Sequence, residues 1–208
     1  MSTQFNVHMN APDMQGKTVL VFLKPQNPQR NYRIHAWQVL TGSAGSTESF
    51  QYVDVISTDV TSSGENASNV IISGRSIINP GQLLQATSPA GLSPSLQLAP
   101  TSMAQEKLTP AQCGVINQTN PFIQFQSNWY VNDKPVVSMP YVDLNMTVSF
   151  EYEPHFYFMV ASPPMVGQTY IVQNFSDMTE YIMPITATNV DVGVTRDQGL
   201  WTFDFDAS

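Results

Sequence analysis

The run Glu151-Tyr152-Glu153-Pro154-His155 sets two carboxylates and an imidazole at alternate positions. Extended backbone turns alternate side chains to one face, so Glu151, Glu153 and His155 would project together from a single strand. Such a set suits a divalent metal or shared acid–base work. The plain alternative is the solvated side of an edge strand that Pro154 ends. A second group is Arg33, His35 and Trp37, within Tyr32-Arg33-Ile34-His35-Ala36-Trp37. On one strand face it would offer an aromatic ring to sugar C–H groups, beside a guanidinium that donates paired hydrogen bonds. Its plain alternative is a partly buried Trp37 with Arg33 laid across the ring.

Other chemistry is excluded or thinly signalled. Cys113 is the single cysteine, so neither an intrachain disulfide nor a cysteine-based metal site is available. The chain has no Gly-x-Ser-x-Gly elbow, phosphate-binding loop or His-Glu-x-x-His. Residues 1–104 hold five acids and five bases, whereas residues 105–208 hold eleven acids and three bases. A nucleic-acid ligand requires a basic stripe to neutralise phosphates, and none is present.

The elements that must position these groups are strands. Only 12% of the residues are charged, against about 25% in an average chain. The polar surface is therefore built from Ser, Thr, Asn and Gln. Lys17-Thr18-Val19-Leu20-Val21-Phe22-Leu23 is apolar on both sides and predicts a buried strand, closed by Pro25-Gln26-Asn27-Pro28. Phe122 to Ser127 alternates in the run to Trp129-Tyr130, Asn132-Asp133-Lys134-Pro135 turns the chain, and Val142, Leu144, Met146 and Val148 share a face. In the last strand Trp201, Phe203 and Phe205 lie together, with Asp204 and Asp206 opposite. Residues 81–121 differ in texture. Pro89, Pro94, Pro100, Pro110 and Pro121 fall there among several leucines, which predicts a wrapping loop. Ser102-Met103-Ala104-Gln105 has the spacing of a capping box for one helical turn.

Three stretches resemble the rhizosphere-induced RhiA-like proteins of bacteria. They are Val19-Leu20-Val21-Phe22-Leu23 running into Lys24-Pro25-Gln26-Asn27-Pro28, then Ile34-His35-Ala36-Trp37, then Phe150-Glu151-Tyr152-Glu153-Pro154-His155-Phe156-Tyr157-Phe158. The resemblance implies a β-rich bacterial protein associated with host or community life. It brings no catalytic residue with it.

Taken together, residues 1–208 predict one all-β domain, an antiparallel β-sandwich of jelly-roll or immunoglobulin-like type with little helix. The function expected is a non-enzymatic binding protein for a glycan or an exposed surface, contacting it through Arg33, His35 and Trp37. A self-assembling structural sandwich is one alternative, with a second copy of the chain as partner. A metal-dependent β-fold enzyme using Glu151, Glu153 and His155 is the other. A carbohydrate or a protein is the partner expected, with no cofactor and no nucleic acid. No stretch approaches the ~18 consecutive apolar residues of a membrane helix. The N-terminal residues show no Sec-type leader, which fits a cytoplasmic protein or one exported by another route.

Overall fold

A computed structural model describes residues 2–28, 31–63, 70–88, 93–119, 124–151, 153–161, 171–172 and 178–208. In chain order the strands are β1 (Ser2–Met9), β2 (Thr18–Leu23), β3 (Arg33–His35), β4 (Gln38–Thr41) and β5 (Thr47–Val53). They continue with β6 (Ile56–Ser63), β7 (Val70–Ile72), β8 (Ser76–Ile77), β9 (Leu83–Thr87) and β10 (Ser95–Leu98). One helix, α1 (Thr101–Lys107), precedes β11 (Cys113–Asn117), β12 (Gln124–Val131), β13 (Lys134–Asp143) and β14 (Thr147–Phe150). The last are β15 (His155–Ala161), β16 (Ile171–Val172), β17 (Thr179–Ile182), β18 (Asn189–Asp197) and β19 (Leu200–Ala207). The fold is all-β, mostly antiparallel and sandwich-like, as the alternation predicts. Among the described residues no helix is long and apolar enough to cross a membrane.

The chain gathers into two compact units. The first comprises Met1–Lys24, Ile34–Asp54 and Glu153–Ser208. Its sheets run β19-β18-β1-β5 and β17-β15-β2-β4. In β1, Phe5, Val7 and Met9 are buried while Gln4, Asn6 and His8 are not, the period-two pattern of a half-buried strand. Every residue of β2 is buried, as its unbroken apolar run requires. Aromatic rings join the sheets. Phe5 stacks on Phe50 at 4.8 Å and meets Phe156 of the facing sheet at 4.9 Å. Tyr181 stacks on Phe205 at 4.3 Å, and Phe158 touches both Phe203 and Phe205. Each such pair adds about 0.5–1.5 kcal/mol beyond the area it buries.

The second unit comprises Pro25–Arg33 and Val55–Tyr152. One sheet runs β10-β9-β11-β14; the other includes β13-β12-β6-β7, with β8 beside β6. Trp129 of β12 stacks on Phe150 of β14 at 5.0 Å and joins these two sheets. The β12–β13 hairpin turns through Asn132 (φ 49°) and Asp133 (φ 61°), residue types that tolerate the left-handed region such a tight turn needs.

The wrapping loop expected over residues 81–121 is corrected by this sheet. Its described part supplies β9, β10, α1 and β11, while 89–92 and 120–121 lie outside the described residues. Pro94, Pro100 and Pro110 all fall between elements, where no ladder donor is lost. Leu83 and Ile116 then pack with Ala99, Ala104 and the flanking Met103 and Leu108 into a small core under α1. The capping box also does not form. The helix starts at Thr101 with Pro100 at its cap and no side-chain cap hydrogen bond.

Candidate functional site

The residues singled out by spacing are not assembled as expected. Trp37 is 2% exposed and lies edge-on to Phe50 and Tyr52 in the core of the first unit. Its ring faces are covered, so it offers no platform to a ligand. β3 ends at His35, which is half-buried opposite Ile171. Arg33 is exposed and belongs to the second unit. Of the trio, Arg33 lines a cleft formed by described residues.

Of the carboxylate–histidine trio, Glu153 and His155 pair, whereas Glu151 belongs to the second unit. β14 stops at Phe150 and β15 starts at His155, so no single strand turns Glu151, Glu153 and His155 to one face. Pro154, without an N–H, stands in the break. Glu151 lines a small polar cleft of about 140 Å³ in the second unit, with Gln112 and Ser149. In the first unit His155 lies between two carboxylates, Nε2 at 3.1 Å from Glu153 and Nδ1 at 3.0 Å from Glu180. Among the described residues no three His, Cys, Asp or Glu side chains form a group able to hold a metal ion.

Glu180 also accepts a 2.5 Å hydrogen bond from the Tyr157 hydroxyl. That bond first holds the Glu180 carboxyl below the usual carboxylate range; burial opposes it, and His155 beside it adds a lesser lowering. A carboxyl whose value is depressed by folding stabilises the fold fully above its unfolded value. The stabilisation is lost as pH falls through the folded value. Acidification from about pH 6 to about pH 3 is thus expected to lower the melting temperature less steeply in Glu180→Gln than in the parent protein. Equal slopes in thermal melts would show that this contact does not contribute.

On the outer face of the same unit, β5, β1 and β18 are tied by polar side chains. His8 bridges Thr47 at 2.9 Å and Asp191 at 3.0 Å; Asn6 donates to the same Asp191 oxygen, and Asn189 donates to the other. Donors from His8 first, then Asn6, keep the Asp191 carboxyl below its ordinary value. The arrangement lies across an open sheet face and fixes the register of three strands.

The better-formed site is in the second unit, a cleft of about 250 Å³ lined by Arg33, β6, β12 and β13. Period-two alternation in β12 buries Phe125, Ser127, Trp129 and Val131, and leaves Gln124, Gln126 and Asn128 on the other face. Thr61, Gln124, Phe125 and Gln126 line the cleft. Asn128 organises this face. It donates to Asp59 at 2.8 Å and to Thr61 at 2.9 Å, and accepts from Gln126 at 2.7 Å and Ser138 at 2.8 Å. Gln124 in turn donates to Asp143 at 2.7 Å. Both glutamine amides are thereby oriented before any ligand arrives.

Further along the face, Arg75 lies 3.6 Å over the Tyr130 ring and pairs with Asp59 and Asp133. Burial, then the Asp59 carboxylate, pushes the Tyr130 hydroxyl up to about 12. Tyr130 is thus a neutral donor at any physiological pH.

The side wall of the cleft comes from a bulge. Phe125 faces Val142 and Ser127 faces Met139, so two residues of β13, Pro140 and Tyr141, stand against Gln126 alone. Tyr141 takes a φ of 63° and is 64% exposed. A left-handed conformation costs an ordinary side chain about 1–2 kcal/mol, and a bulky residue rarely adopts it. The strain sets an aromatic side chain at the cleft beside two oriented amides and a guanidinium. Spacing does not single out Tyr141, but Pro140 well inside the strand run Lys134–Asp143 is the signal of such a bulge.

No protein-family model, curated protein or solved structure matches this chain.

Proposed function

We propose that the protein is a non-enzymatic carbohydrate-binding module whose site is the Tyr141 cleft. One observation supports this reading above the others: an exposed tyrosine held in a strained bulge within an amide-lined cleft. Strain of this kind persists where the surrounding structure maintains it, and it gathers at binding sites. The negative face of an aromatic ring suits the weakly positive C–H face of a sugar. Amides from Gln124 and Gln126, with the Thr61 hydroxyl, supply the donors and acceptors that hydroxyl groups require. At about 250 Å³ the cleft is smaller than the ~300–1,000 Å³ of pockets for drug-sized ligands. It fits a sugar ring or two at the end or along the length of a glycan.

The test is a glycan array followed by titration calorimetry of the parent protein and Tyr141 variants. Tyr141→Ala is expected to weaken binding roughly tenfold, the equivalent of about 1.4 kcal/mol, whereas Tyr141→Phe retains most of it. Tyr141→Gly is expected to lose binding while stability holds or rises by up to about 1 kcal/mol, because glycine accepts the left-handed backbone without strain. Full binding by Tyr141→Ala, or no glycan bound by the parent, would overturn the reading.

A further inference from the structure

We infer that the glycan taken by this cleft is acidic, a carboxylated sugar whose carboxylate pairs with Arg33. The inference rests on the carbohydrate reading of the same site and adds the chemical class of the ligand.

Arg33 is conspicuous by its electrostatic surroundings. The chain has sixteen acids against eight bases, so a cation here has many chances of a partner. Three described cations have taken one: Arg75 pairs with Asp59 and Asp133, Lys107 with Glu106, and Arg196 with Asp13. Among the described residues Arg33 has no carboxylate within ion-pair distance, although it is exposed and lines the cleft. Among the described residues it is also the cleft's single charged lining group. An exposed arginine without a partner keeps its planar fork of donors available, and that fork matches a carboxylate through two parallel hydrogen bonds.

The count of charges selects among anions. A heavily sulfated chain presents several charges per disaccharide and calls for a basic stripe. This cleft offers one guanidinium, and Asp143 stands close by, hydrogen-bonded to Gln124. One cation beside an aromatic and two amides suits one carboxylate per ring, as in a uronic or sialic acid. The ring would lie on Tyr141, its hydroxyls on Gln124 and Gln126, and its carboxylate on Arg33.

The experiment is an array of matched pairs, titrated in solution for every hit. Oligogalacturonate is set beside its methyl ester, sialyllactose beside lactose, and alginate and hyaluronan fragments beside their carboxyl-reduced forms. The expected result is that the acid of at least one pair binds about tenfold or more tighter than its neutral partner. Arg33→Gln is expected to bring the acid down to the neutral partner's affinity without shifting the thermal melt. Arg33→Lys, which keeps the charge but not the fork, is expected to fall between them. Equal binding of acid and neutral forms, or unchanged preference in Arg33→Gln, would overturn the acidic class and leave the carbohydrate reading standing. No binding to either member of any pair would overturn both.

Discussion

Replacing Trp129 by alanine is expected to destabilise the second unit by about 3–5 kcal/mol, the usual cost of emptying a buried aromatic site. Trp129 is 0% exposed, and its ring stacks on Phe150 at an interplanar angle of 18°. Those two residues join the sheets of this unit, so the cavity would open where neither sheet can collapse to fill it. The effect also reaches the cleft, because Trp129 follows Asn128, the amide that orients Gln126 and Thr61. Trp129→Phe makes the informative contrast. The indole Nε1 is buried with no hydrogen-bond partner among the described residues. An orphaned donor costs about 1–3 kcal/mol, so phenylalanine gives up contact area and removes that penalty together. Urea denaturation should place Trp129→Phe within about 2 kcal/mol of the parent and Trp129→Ala well below it. An alanine variant within 1 kcal/mol, on the order of a surface change, would refute this view of the core.

The second large effect belongs to the first unit. Phe5→Ala is expected to cost about 3–5 kcal/mol, because Phe5 touches rings from both sheets. It stacks on Phe50 at an angle of 8°, tilts against Phe156, and meets Tyr181 edge-on at 6.3 Å. Phe205 makes the control. It also stacks on Tyr181 and meets Phe158, but it is only half-buried, so its replacement by alanine should cost about half as much. Thermal or urea unfolding of both variants checks the order. A smaller loss for Phe5→Ala than for Phe205→Ala would show that the core does not centre on Phe5.

What was legible in the residues was the strand class and much of its local placing. The unbroken apolar run of β2, the Asn132-Asp133 turn and the aromatic face of β19 follow from period and turn chemistry alone. Two strands with equally clear alternation escape a reading that looks elsewhere. In β1, Phe5, Val7 and Met9 alternate with polar residues, and in β18 Val190, Val192 and Val194 do the same. Their pairing is parallel, with Phe5 opposite Val190, and no local pattern announces it. The 81–121 region misleads because its prolines dominate the composition, while what matters is that they fall between short strands. At the candidate sites, Trp37 shows the same limit. Alternation assigns it a face but does not say whether a second sheet covers that face, and rings from elsewhere in the chain do. Arg33 was visible because a charge on a strand must find solvent or a partner. Tyr141 needed the bulge, which depends on how β13 registers against β12.

The pairing of β1 with β18 also sets an order of events during synthesis. His8 and Asp191 are 183 residues apart, so the first sheet of the first unit closes only when nearly the whole chain exists. Nearly all of the second unit lies in one continuous stretch, Val55–Tyr152, and its partners emerge together. At about 5–20 residues per second, β1 waits on the order of ten seconds with Phe5, Val7 and Met9 exposed beside β5. Long-range closure is slow in its own right. The first unit is therefore the later to fold and the more dependent on protection by chaperones, and a ribosome that stalls before β18 releases a chain with a finished second unit and an unpaired, sticky leading edge.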